Sequence, residues 1–401
     1  MIEATARANA AVILAVMVVA ILAPTEAVAA AARPFNLGYL EIAGDARYEP
    51  IRRYTGLRLK QRHRPLAGAQ VAIRDSRFAG RALGLAFALE RGQAPDAAAL
   101  MGRARALMAE QGVHFFLADA PVDALKLLAR DLAGEPVLLL NVSEPDDTLR
   151  GAACSANLLH VVPSRAMRMD ALAQYLVFKG WRKVLVLQGP EPADQVLAAA
   201  FQRSARKFGA KVVAVKDFVL NNDPRERDRN NIALLTATPD HDVVFLADSV
   251  GEFGRYVPYQ TQTPRPVVGT EGLIAHAWHW TWERHGAPQL NQRFAKRAKR
   301  PMEGPDWAAW AAVKAVVEAV VRTGSTEFAT VARYLKSDAL TLDTYKGAAA
   351  NFRPWNLQLR QPILLHTANA VVARAPLTGF LHPTNNLDTL GLDQPEAGCR
   401  F

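Results

Sequence analysis

Two α/β domains, each a parallel sheet with helices on both faces, are predicted by three features of the sequence. Strand-like and helix-like segments alternate along most of the chain. Residues 136–141 form an almost wholly apolar predicted strand, as expected where helices cover both faces of a parallel sheet. The alternation starts again after residues 160–164, and 401 residues that are 50% hydrophobic can form two cores. The sequence therefore predicts the α/β class with two doubly wound, Rossmann-like lobes.

The first half is predicted from the spacing of its apolar residues and from its turn residues. The predicted strands are 35–41, 70–74, 114–117 and 136–141, and the predicted helices are 78–91, 97–111 and 121–133. The helix at 97–111 ends before Gly112, and the one at 121–133 ends before Gly134. This order of elements is typical of a doubly wound sheet.

The second half repeats the order of elements without a visible sequence repeat. Helices are predicted at 164–179, 193–208 and up to 237, and strands at 183–188, 211–218, 243–247 and 266–269. An apolar helix at 307–321, a shorter helix at 328–336 and β-like runs at 361–366 and 370–374 follow. Residues 376–401 are rich in Gly, Pro and Asn and are predicted to be irregular.

The chain begins with the pattern of a secretory signal peptide. Arg7 precedes the apolar run 10–23, Pro24 and the small-residue site 27–29, so cleavage is expected after residue 29 and the mature protein is expected in the periplasm. An uncleaved anchor is the alternative. The net charge of +10 favours anionic partners, whereas the scattered cations do not indicate nucleic-acid binding. A monomer is expected.

Cys154 and Cys399 are the two cysteines of the chain. An even number of cysteines in an oxidising compartment favours a disulfide, which would fix the tail to the middle of the chain. The alternative is one buried thiol and one free thiol in the tail. Neither cysteine has the spacing of a metal ligand or a nucleophile.

Residues 272–307 combine aromatic and cationic side chains. They hold four of the seven tryptophans and the basic run 293–300. Flat aromatic faces beside cations suit a planar polyanion. Core packing of the indoles and a solvated basic helix are the alternatives. His276, His279 and His285 lack a carboxylate or cysteine at ligand spacing, so no metal is expected.

Four segments are similar to one family of binding proteins. They are the alternation over 35–141, LHVVPS at 159–164, GWRKVLVL at 180–187 and PDWAAW at 305–310. With them the chain resembles the type I periplasmic solute-binding proteins, in the branch of the Leu/Ile/Val binders of ABC importers. This resemblance implies two lobes joined by three crossings and a ligand in the cleft at the carboxyl ends of the strands. It also implies a hinge closure of the Venus-flytrap kind.

The resemblance also divides the chain into lobes. Residues 34–162 and 272–345 are assigned to the N-terminal lobe and residues 163–271 and 346–375 to the C-terminal lobe, with 376–401 as the tail. Amino-acid binders of the family hold their ligand with small hydroxyl residues and glycines. Here the corresponding loops read ADAP at 118–121 and NVSE at 141–144, so a larger anionic ligand is expected.

A finer resemblance rests on NFRPWNLQLRQP at 351–362. This segment is similar to a subgroup associated with quinoprotein alcohol dehydrogenase systems, which implies pyrroloquinoline quinone (PQQ) as the bound ligand. PQQ is a planar o-quinone with three carboxylates, and it requires aromatic faces and Arg or Lys side chains.

Candidate ligand-binding residues lie at predicted strand ends or in the aromatic region. They are Arg47, Tyr48, Arg77, Asn141, Ser143, Gln188, Asp248, Glu271, Trp278, Trp280, Trp282, Trp307, Arg353 and Trp355. Glu271 is expected to hold a cation or a lobe-closing arginine. In an extended segment Trp278, Trp280 and Trp282 would share one face, whereas on a helix only Trp278 and Trp282 would do so.

The favoured hypothesis is a PQQ-binding periplasmic protein that serves an ABC permease or a quinoprotein dehydrogenase. A binder of amino acids or aromatic acids is the first alternative. An auxiliary enzyme of quinoprotein alcohol oxidation is the second, and the absence of a nucleophile–base pair or phosphate loop in the sequence argues against it.

Overall fold

A computed structural model describes residues 32–50, 59–219, 221 and 223–401. The predicted signal peptide, residues 1–29, lies outside the described residues. Within these ranges no helix combines the length and the apolar character needed to cross a bilayer.

The first lobe is built on a five-stranded sheet in the order β2-β1-β3-β4-β5, with all neighbours parallel. Its elements are β1 (Arg33–Ile42), α1 (Leu66–Asp75), α2 (Arg77–Ala82), β2 (Leu85–Ala94), α3 (Ala97–Gln111), β3 (Phe115–Asp119), α4 (Val122–Asp131), β4 (Leu138–Asn141) and β5 (Leu158–His160). Phe115 and Leu117 of β3 enter one core, whereas Phe116 and Ala118 enter another. Because alternate side chains are buried on opposite faces, the sheet is covered on both sides.

The second lobe repeats this design on a four-stranded parallel sheet in the order β7-β6-β8-β9. Its elements are α5 (Arg165–Phe178), β6 (Lys183–Gln188), α6 (Pro192–Phe208), β7 (Lys211–Asp217), α7 (Ile232–Ala237), β8 (Val243–Ala247), α8 (Val257–Gln260) and β9 (Val267–Gly269). Together the two parallel sheets confirm the predicted fold class.

The rest of the chain returns to the first lobe and then forms a small antiparallel sheet. The elements are β10 (Ile274–His276), α9 (Ala287–Ala298), α10 (Gly304–Thr323), α11 (Phe328–Leu335), β11 (Leu342–Asp343), β12 (Ala349–Ala350), β13 (Ile363–His366), β14 (Val371–Ala375) and α12 (Gln394–Ala397). Strands β10, β13 and β14 pair in that order. Helix α10 packs on α1 and α11, which places it in the first lobe.

Two predicted elements near the start of the chain are wrong. Residues 70–74 belong to helix α1, and the second half of the predicted helix 78–91 is strand β2. Helix α1 lies close to α10 because Gly68 has no side chain where the backbone of Asp306 passes. Strand β2 pairs with β1 from Leu85 opposite Arg33 to the last residue of both strands. This long pairing overrides the local helical spacing.

The chain crosses between the lobes near residues 160–164, 272–277 and 357–363. The first and third crossings are joined by backbone hydrogen bonds of His160 to Leu357 and Leu359 (2.9 and 2.8 Å). The buried Lys346 joins the second and third crossings, because its Nζ donates to the carbonyl oxygens of Ala277 (3.0 Å) and Pro362 (2.8 Å). Burial lowers the pKa of this ammonium group well below its usual value, and the charge of Arg374 lowers it further.

The hydrophobic cores follow this arrangement. Helix α10 and the first sheet share one core, and α5, α6 and the second sheet share another. Phe352, Leu357 and Leu359 enter the first core, although the division predicted from the sequence gives 346–375 to the C-terminal lobe. The exact lobe boundaries at this crossing stay a prediction.

Candidate functional site

The carboxyl ends of the two parallel sheets face each other, and one side chain joins them. Lys60 lies on the segment between β1 and α1 of the first lobe. Its Nζ donates to the carbonyl oxygens of Asp248 (3.1 Å) and Thr270 (3.2 Å), which follow strands β8 and β9 of the second lobe. The region between these sheet edges is the cleft in which the fold places a ligand.

On the first-lobe side of the cleft, charged and phenolic groups surround the buried carboxylate of Asp119. Its Oδ1 accepts from Tyr48 (2.5 Å) and Arg47 (3.1 Å), and its Oδ2 accepts from Tyr39 (2.9 Å) and Arg64 (3.2 Å). We call these residues, together with Glu41 and Asp45, the Asp119 network. Glu41 binds Arg64 (3.3 Å) and Arg91, while Asp45 binds Arg47 (2.7 Å). With Arg91 included, three guanidinium groups face the three carboxylates of Asp119, Glu41 and Asp45, so the charges are balanced.

Arg47 and Tyr48 are both where the sequence places them, at the carboxyl end of β1. The Arg47 guanidinium also donates to Ser143 Oγ (3.0 Å). The guanidinium carbons of Arg64 and Arg47 lie 4.5 and 5.4 Å from the centre of the Tyr48 ring. Burial and the nearby Asp119 raise the pKa of the Tyr48 phenol well above its usual value, so this hydroxyl remains a donor.

Asn141 and Ser143 shape the neighbouring loop after β4. The Asn141 side chain is buried, and its Oδ1 accepts from the backbone nitrogens of Ser143 (3.2 Å) and Glu144 (2.9 Å). Its amide nitrogen bonds the Glu144 carbonyl (2.8 Å) and the His160 ring (3.1 Å). Contrary to expectation, Asn141 holds the loop and does not face a ligand, because its polar groups are all used internally.

Glu271 lies where a cation from the other lobe reaches it. Its carboxylate is 3.4 Å from Lys60 Nζ, so the expected cation is a lysine of the β1–α1 segment. The Asp248 carboxylate is buried and accepts from the backbone nitrogens of Val250, Gly251 and Gly254. Its side chain therefore orders the loop after β8, and only its carbonyl faces the cleft.

Basic and imidazole side chains gather on the hinge side of the cleft. Arg168 of α5 donates through Nε to the Ala275 carbonyl (2.8 Å). His276 Nδ1 lies 2.9 Å from His366 Nε2, and the His279 ring stacks on His366 at 3.9 Å between centroids. Burial and the surrounding positive charge lower the pKa of all three histidines, that of His279 to about 4. The imidazoles are therefore neutral at pH 7.

Three of the four tryptophans in the 272–307 region are in the first core. Trp278, Trp282 and Trp307 are buried, and Trp278 stacks on Trp307 with 6.3 Å between centroids. Lys346 Nζ lies 3.6 Å from the centre of the Trp307 ring. The expected pairing of indole and cation thus exists, but inside the protein. Trp280 is half-exposed at 46%, and a contact with ligand stays a prediction for this residue.

Arg353 and Trp355 bind the C-terminal tail and not the cleft. The buried Arg353 guanidinium donates to Asp388 (2.8 Å) and to the carbonyls of Leu387 and Leu390. Trp355 Nε1 donates to the Leu392 carbonyl (3.3 Å). The segment that carries the finer sequence resemblance therefore anchors residues 387–392.

The two other candidates, Arg77 and Gln188, lie at opposite kinds of sheet edge. Arg77 is exposed at the start of α2, near the amino-terminal edge of the first sheet, so it lies away from the cleft. Gln188 ends β6 at the carboxyl edge and bonds Asp217 (3.1 Å). A ligand contact of Gln188 remains a prediction.

Cys154 and Cys399 form a disulfide with 5.9 Å between their Cα atoms. The bond fixes the end of the tail to the loop that precedes β5. Upstream, Asp388 pairs with Arg353 and Arg360. Among the described residues no group of three or more His, Cys, Asp or Glu side chains is arranged to hold a metal ion.

Several cleft residues were not singled out from the sequence. They are Lys60, Arg62, Arg64, Asp119 and Arg168. The signal for the first three is the strongly basic run KQRHR at 60–64, which lies between the end of β1 and the start of α1. Asp119 ends β3, at the same sheet edge as Tyr48, and lies between two alanines in the sequence.

Comparison with known proteins gives the fold to which this arrangement corresponds. A family model described as a periplasmic binding protein matches residues 66–251. No curated protein matches the sequence. The fold is that of the two-lobed type I periplasmic binding proteins, whose solved structures match closely in shape.

Three of these structures define the likeness. A branched-chain amino-acid ABC transporter periplasmic ligand-binding protein from Burkholderia xenovorans LB400 is 15% identical with a TM-score of 0.66, covering 84% of this chain and 94% of its own. An ABC transporter substrate-binding protein from Sphaerobacter thermophilus is 15% identical with a TM-score of 0.67, covering 90% and 100%.

The third is an ABC transporter solute-binding protein from Rhodopseudomonas palustris BisB5, in complex with 3,4-dihydroxybenzoic acid. It is 12% identical with a TM-score of 0.61, covering 85% of this chain and 94% of its own. At such identities the likeness establishes the fold and not the ligand.

Proposed function

We propose that the chain is a periplasmic solute-binding protein that captures a small anionic solute between its lobes and presents it to an ABC permease. The observation that carries the proposal is the cleft itself. Charged side chains lie at the carboxyl ends of both parallel sheets, and Lys60 spans from one lobe to the other. Sheets of this kind bind ligands at these ends.

The cleft favours an anion over a zwitterionic amino acid. In the first lobe, Asp119 already binds four donors of the protein, so it offers no free acceptor for an ammonium group. On the hinge side, Arg168 has no carboxylate partner among the described residues. An anionic group of the solute would supply that partner.

PQQ is the solute that we propose first. The support is the sequence similarity at 351–362 and the excess of cations on the hinge side of the cleft. Tryptophan stacking no longer supports it, because Trp278, Trp282 and Trp307 are in the core. Tyr48, between Arg47 and Arg64, is an aromatic ring at the cleft, and the half-exposed Trp280 stays a candidate.

An aromatic acid is the second candidate. The R. palustris structure contains 3,4-dihydroxybenzoic acid, and a second structure from R. palustris contains benzoate. Both ligands combine a flat ring with one carboxylate. This carboxylate would bind Arg168, as a carboxylate of PQQ would.

The test is thermal unfolding and calorimetric titration of the purified exported protein with PQQ, 3,4-dihydroxybenzoate, benzoate and leucine. We expect PQQ at a hundredfold excess over Kd to stabilise the fold by about 2.7 kcal/mol, with a corresponding rise in Tm. Stabilisation by an aromatic acid alone would favour the second candidate. Stabilisation by leucine alone, or by none of the four compounds, would contradict the proposal.

The same samples separate binding from catalysis. A binder leaves PQQ unchanged and oxidises no alcohol when PQQ is added. Turnover of ethanol with PQQ and an electron acceptor would instead favour the auxiliary enzyme of quinoprotein oxidation. Delivery of PQQ to a quinoprotein dehydrogenase, as opposed to import, would appear as faster reconstitution of that apoenzyme by the loaded protein.

A further inference from the structure

Two arginines of the cleft, Arg168 and Arg62, lack an acidic partner among the described residues, and Arg168 is the less exposed of the two. Arg47 pairs with Asp45, Arg64 with Glu41 and Arg165 with Asp146 (3.5 Å). Arg168 donates to a single carbonyl, that of Ala275, and makes no other hydrogen bond or ion pair with the described residues. Its side chain is only partly exposed.

The surroundings of Arg168 explain this, because they add positive charge and not negative charge. Arg165 lies one turn earlier on α5, and His276 follows Ala275 on β10. Burial lowers the pKa of Arg168 to about 10, and the charges of Arg165 and Arg62 lower it further. The nearby acids are already used, since Asp146 pairs with Arg165 and Glu271 with Lys60.

Arg62 is the second cation without a partner at this place. It is exposed and makes no ion pair with the described residues. Its position is nevertheless fixed, because Lys60 is bound to the second lobe and Arg64 to Asp119 in the first. Arg62 is therefore held between these two attachments, on the short segment that contacts residues 248 and 270 of the second lobe through Lys60.

Partly buried cations without counter-charges cost free energy, which a bound anion recovers. A guanidinium that uses only Nε internally keeps two terminal nitrogens for a carboxylate, and this geometry favours paired hydrogen bonds. We propose that Arg168 and Arg62 bind a carboxylate of the solute on the hinge side of the cleft. The Asp119 network on the first-lobe side does not hold the anion.

This inference rests on the proposed function and deepens it by naming the chemical group that is recognised. It has a consequence for closure. Arg62 belongs to the first lobe and Arg168 to α5 of the second, so a carboxylate between them would link the lobes directly. Solutes without a negative charge would gain no binding free energy from Arg62 and Arg168.

The experiment compares Arg168→Gln and Arg62→Gln with Arg182→Gln as the matched control. Arg182 is an exposed arginine at the amino-terminal end of β6 in the second lobe, and it contacts one carbonyl, that of Gly209. A glutamine at 168 can still donate to the Ala275 carbonyl, and circular dichroism checks that each variant folds. The probes are PQQ, 3,4-dihydroxybenzoate and its uncharged methyl ester.

We expect Arg168→Gln to weaken binding of the acids about 10- to 100-fold, as for loss of a charged hydrogen-bonded pair. Arg62→Gln should weaken it less, and Arg182→Gln should leave it unchanged. The methyl ester should bind weakly and equally to wild type and Arg168→Gln. A merely structural role of Arg168 would reduce binding of ester and acid alike and would contradict the proposal.

A second measurement does not depend on the identity of the solute. Sulfate is titrated against chloride at constant ionic strength, and Tm is recorded without organic ligand. Sulfate stabilises folded proteins generally, so we expect it to raise the Tm of wild type more than that of Arg168→Gln, and this excess is the sulfate effect. If wild type binds none of the acids but shows this sulfate effect, the proposed function fails and the anion site stands.

Two outcomes overturn the inference. Unchanged acid binding in both Arg168→Gln and Arg62→Gln would do so while leaving the proposed function intact. Absence of both acid binding and the sulfate effect in wild type would remove the inference and the proposed function together.

Discussion

The two sides of the cleft differ in how their charges are compensated. On the first-lobe side, the Asp119 network pairs each guanidinium with a carboxylate at 2.7–3.3 Å. On the hinge side, Arg168 and Arg62 have no acidic partner among the described residues. One side is complete without a ligand, and the other lacks a negative charge.

This difference separates two roles that are easily confused in a polar cleft. A buried network in which every group is satisfied makes a region rigid, and removal of one member leaves the others unpaired. An uncompensated cation contributes little to stability but provides binding energy for an anion. The Asp119 network should therefore determine folding, and Arg168 should determine affinity.

The largest effect is expected for Asp119→Asn. The substitution removes the charge that compensates Arg47 and Arg64 in a buried setting. We expect the free energy of unfolding to fall by about 3–5 kcal/mol, measured by urea denaturation. Asp131→Asn, which affects an exposed pair with Arg130, is the control and should leave the free energy of unfolding unchanged within error. A similarly small loss at Asp119 would mean that the network is not structural.

Removing one arginine from each side compares the two regions directly. Arg64→Gln loses contacts to Asp119, Glu41 and the Ile42 carbonyl, so we expect a loss of about 1–3 kcal/mol in unfolding free energy. Arg168→Gln removes an unpaired charge and should change stability by no more than about 0.5 kcal/mol. Both values come from the same denaturation series. Equal losses would show that Arg168 is as structural as Arg64.

Much of the fold was predictable from the sequence because local signals agreed with tertiary structure. Helix α3 has the predicted bounds, since the Asp96 side chain caps its start and Gly112 ends it in a left-handed conformation. Strands β6 and β8 also match. The structure of segment 66–94 does not match its prediction, because contacts of α1 with α10 and of β2 with β1 determine it.

The candidate site was predictable in its location but not in its chemistry. The carboxyl end of β1 was correctly expected to carry Arg47 and Tyr48, and Glu271 was correctly expected to meet a cation. Trp278, Trp282 and Trp307 were misjudged, because tryptophans and cations close together in a sequence can pair in a core as well as in a ligand site. Lys346 and Trp307 satisfy each other. Only the fold brings Arg168 and residues 60–64 together.

A smaller effect is expected where Lys60 links the two sides. Lys60→Gln weakens the hydrogen bonds to two carbonyls and removes the ion pair with Glu271. We expect this to destabilise the arrangement in which the lobes are in contact by about 1–2 kcal/mol. Small-angle X-ray scattering of the unliganded protein should show a larger radius of gyration. Lys183→Gln, which breaks an exposed pair with Asp240 in the same lobe, is the control. An unchanged radius in Lys60→Gln would mean that this contact does not hold the lobes together.

The smallest effect concerns the neutral histidines beside the uncompensated cations. Burial and His366 lower the pKa of His279 to about 4, whereas in the unfolded chain it titrates near 6.5. Between these values the unfolded state binds more protons than the folded state, so stability is present above about pH 6.5 and is lost as pH falls. His276 and His366 act in the same direction, because burial lowers the pKa of both and the charge of Arg168 lowers it further.

The measurement is the free energy of unfolding at pH 7.5 and pH 5.5 for wild type and His279→Gln. Because the other groups titrate in both proteins, the difference between them isolates this histidine. We expect the loss on acidification to be smaller in the variant by about 0.5–1 kcal/mol, allowing for partial exposure of the ring. His114→Gln, remote from the hinge, should behave as wild type does. An equal loss in wild type and His279→Gln would mean that the ring is not held neutral by its burial and by His366.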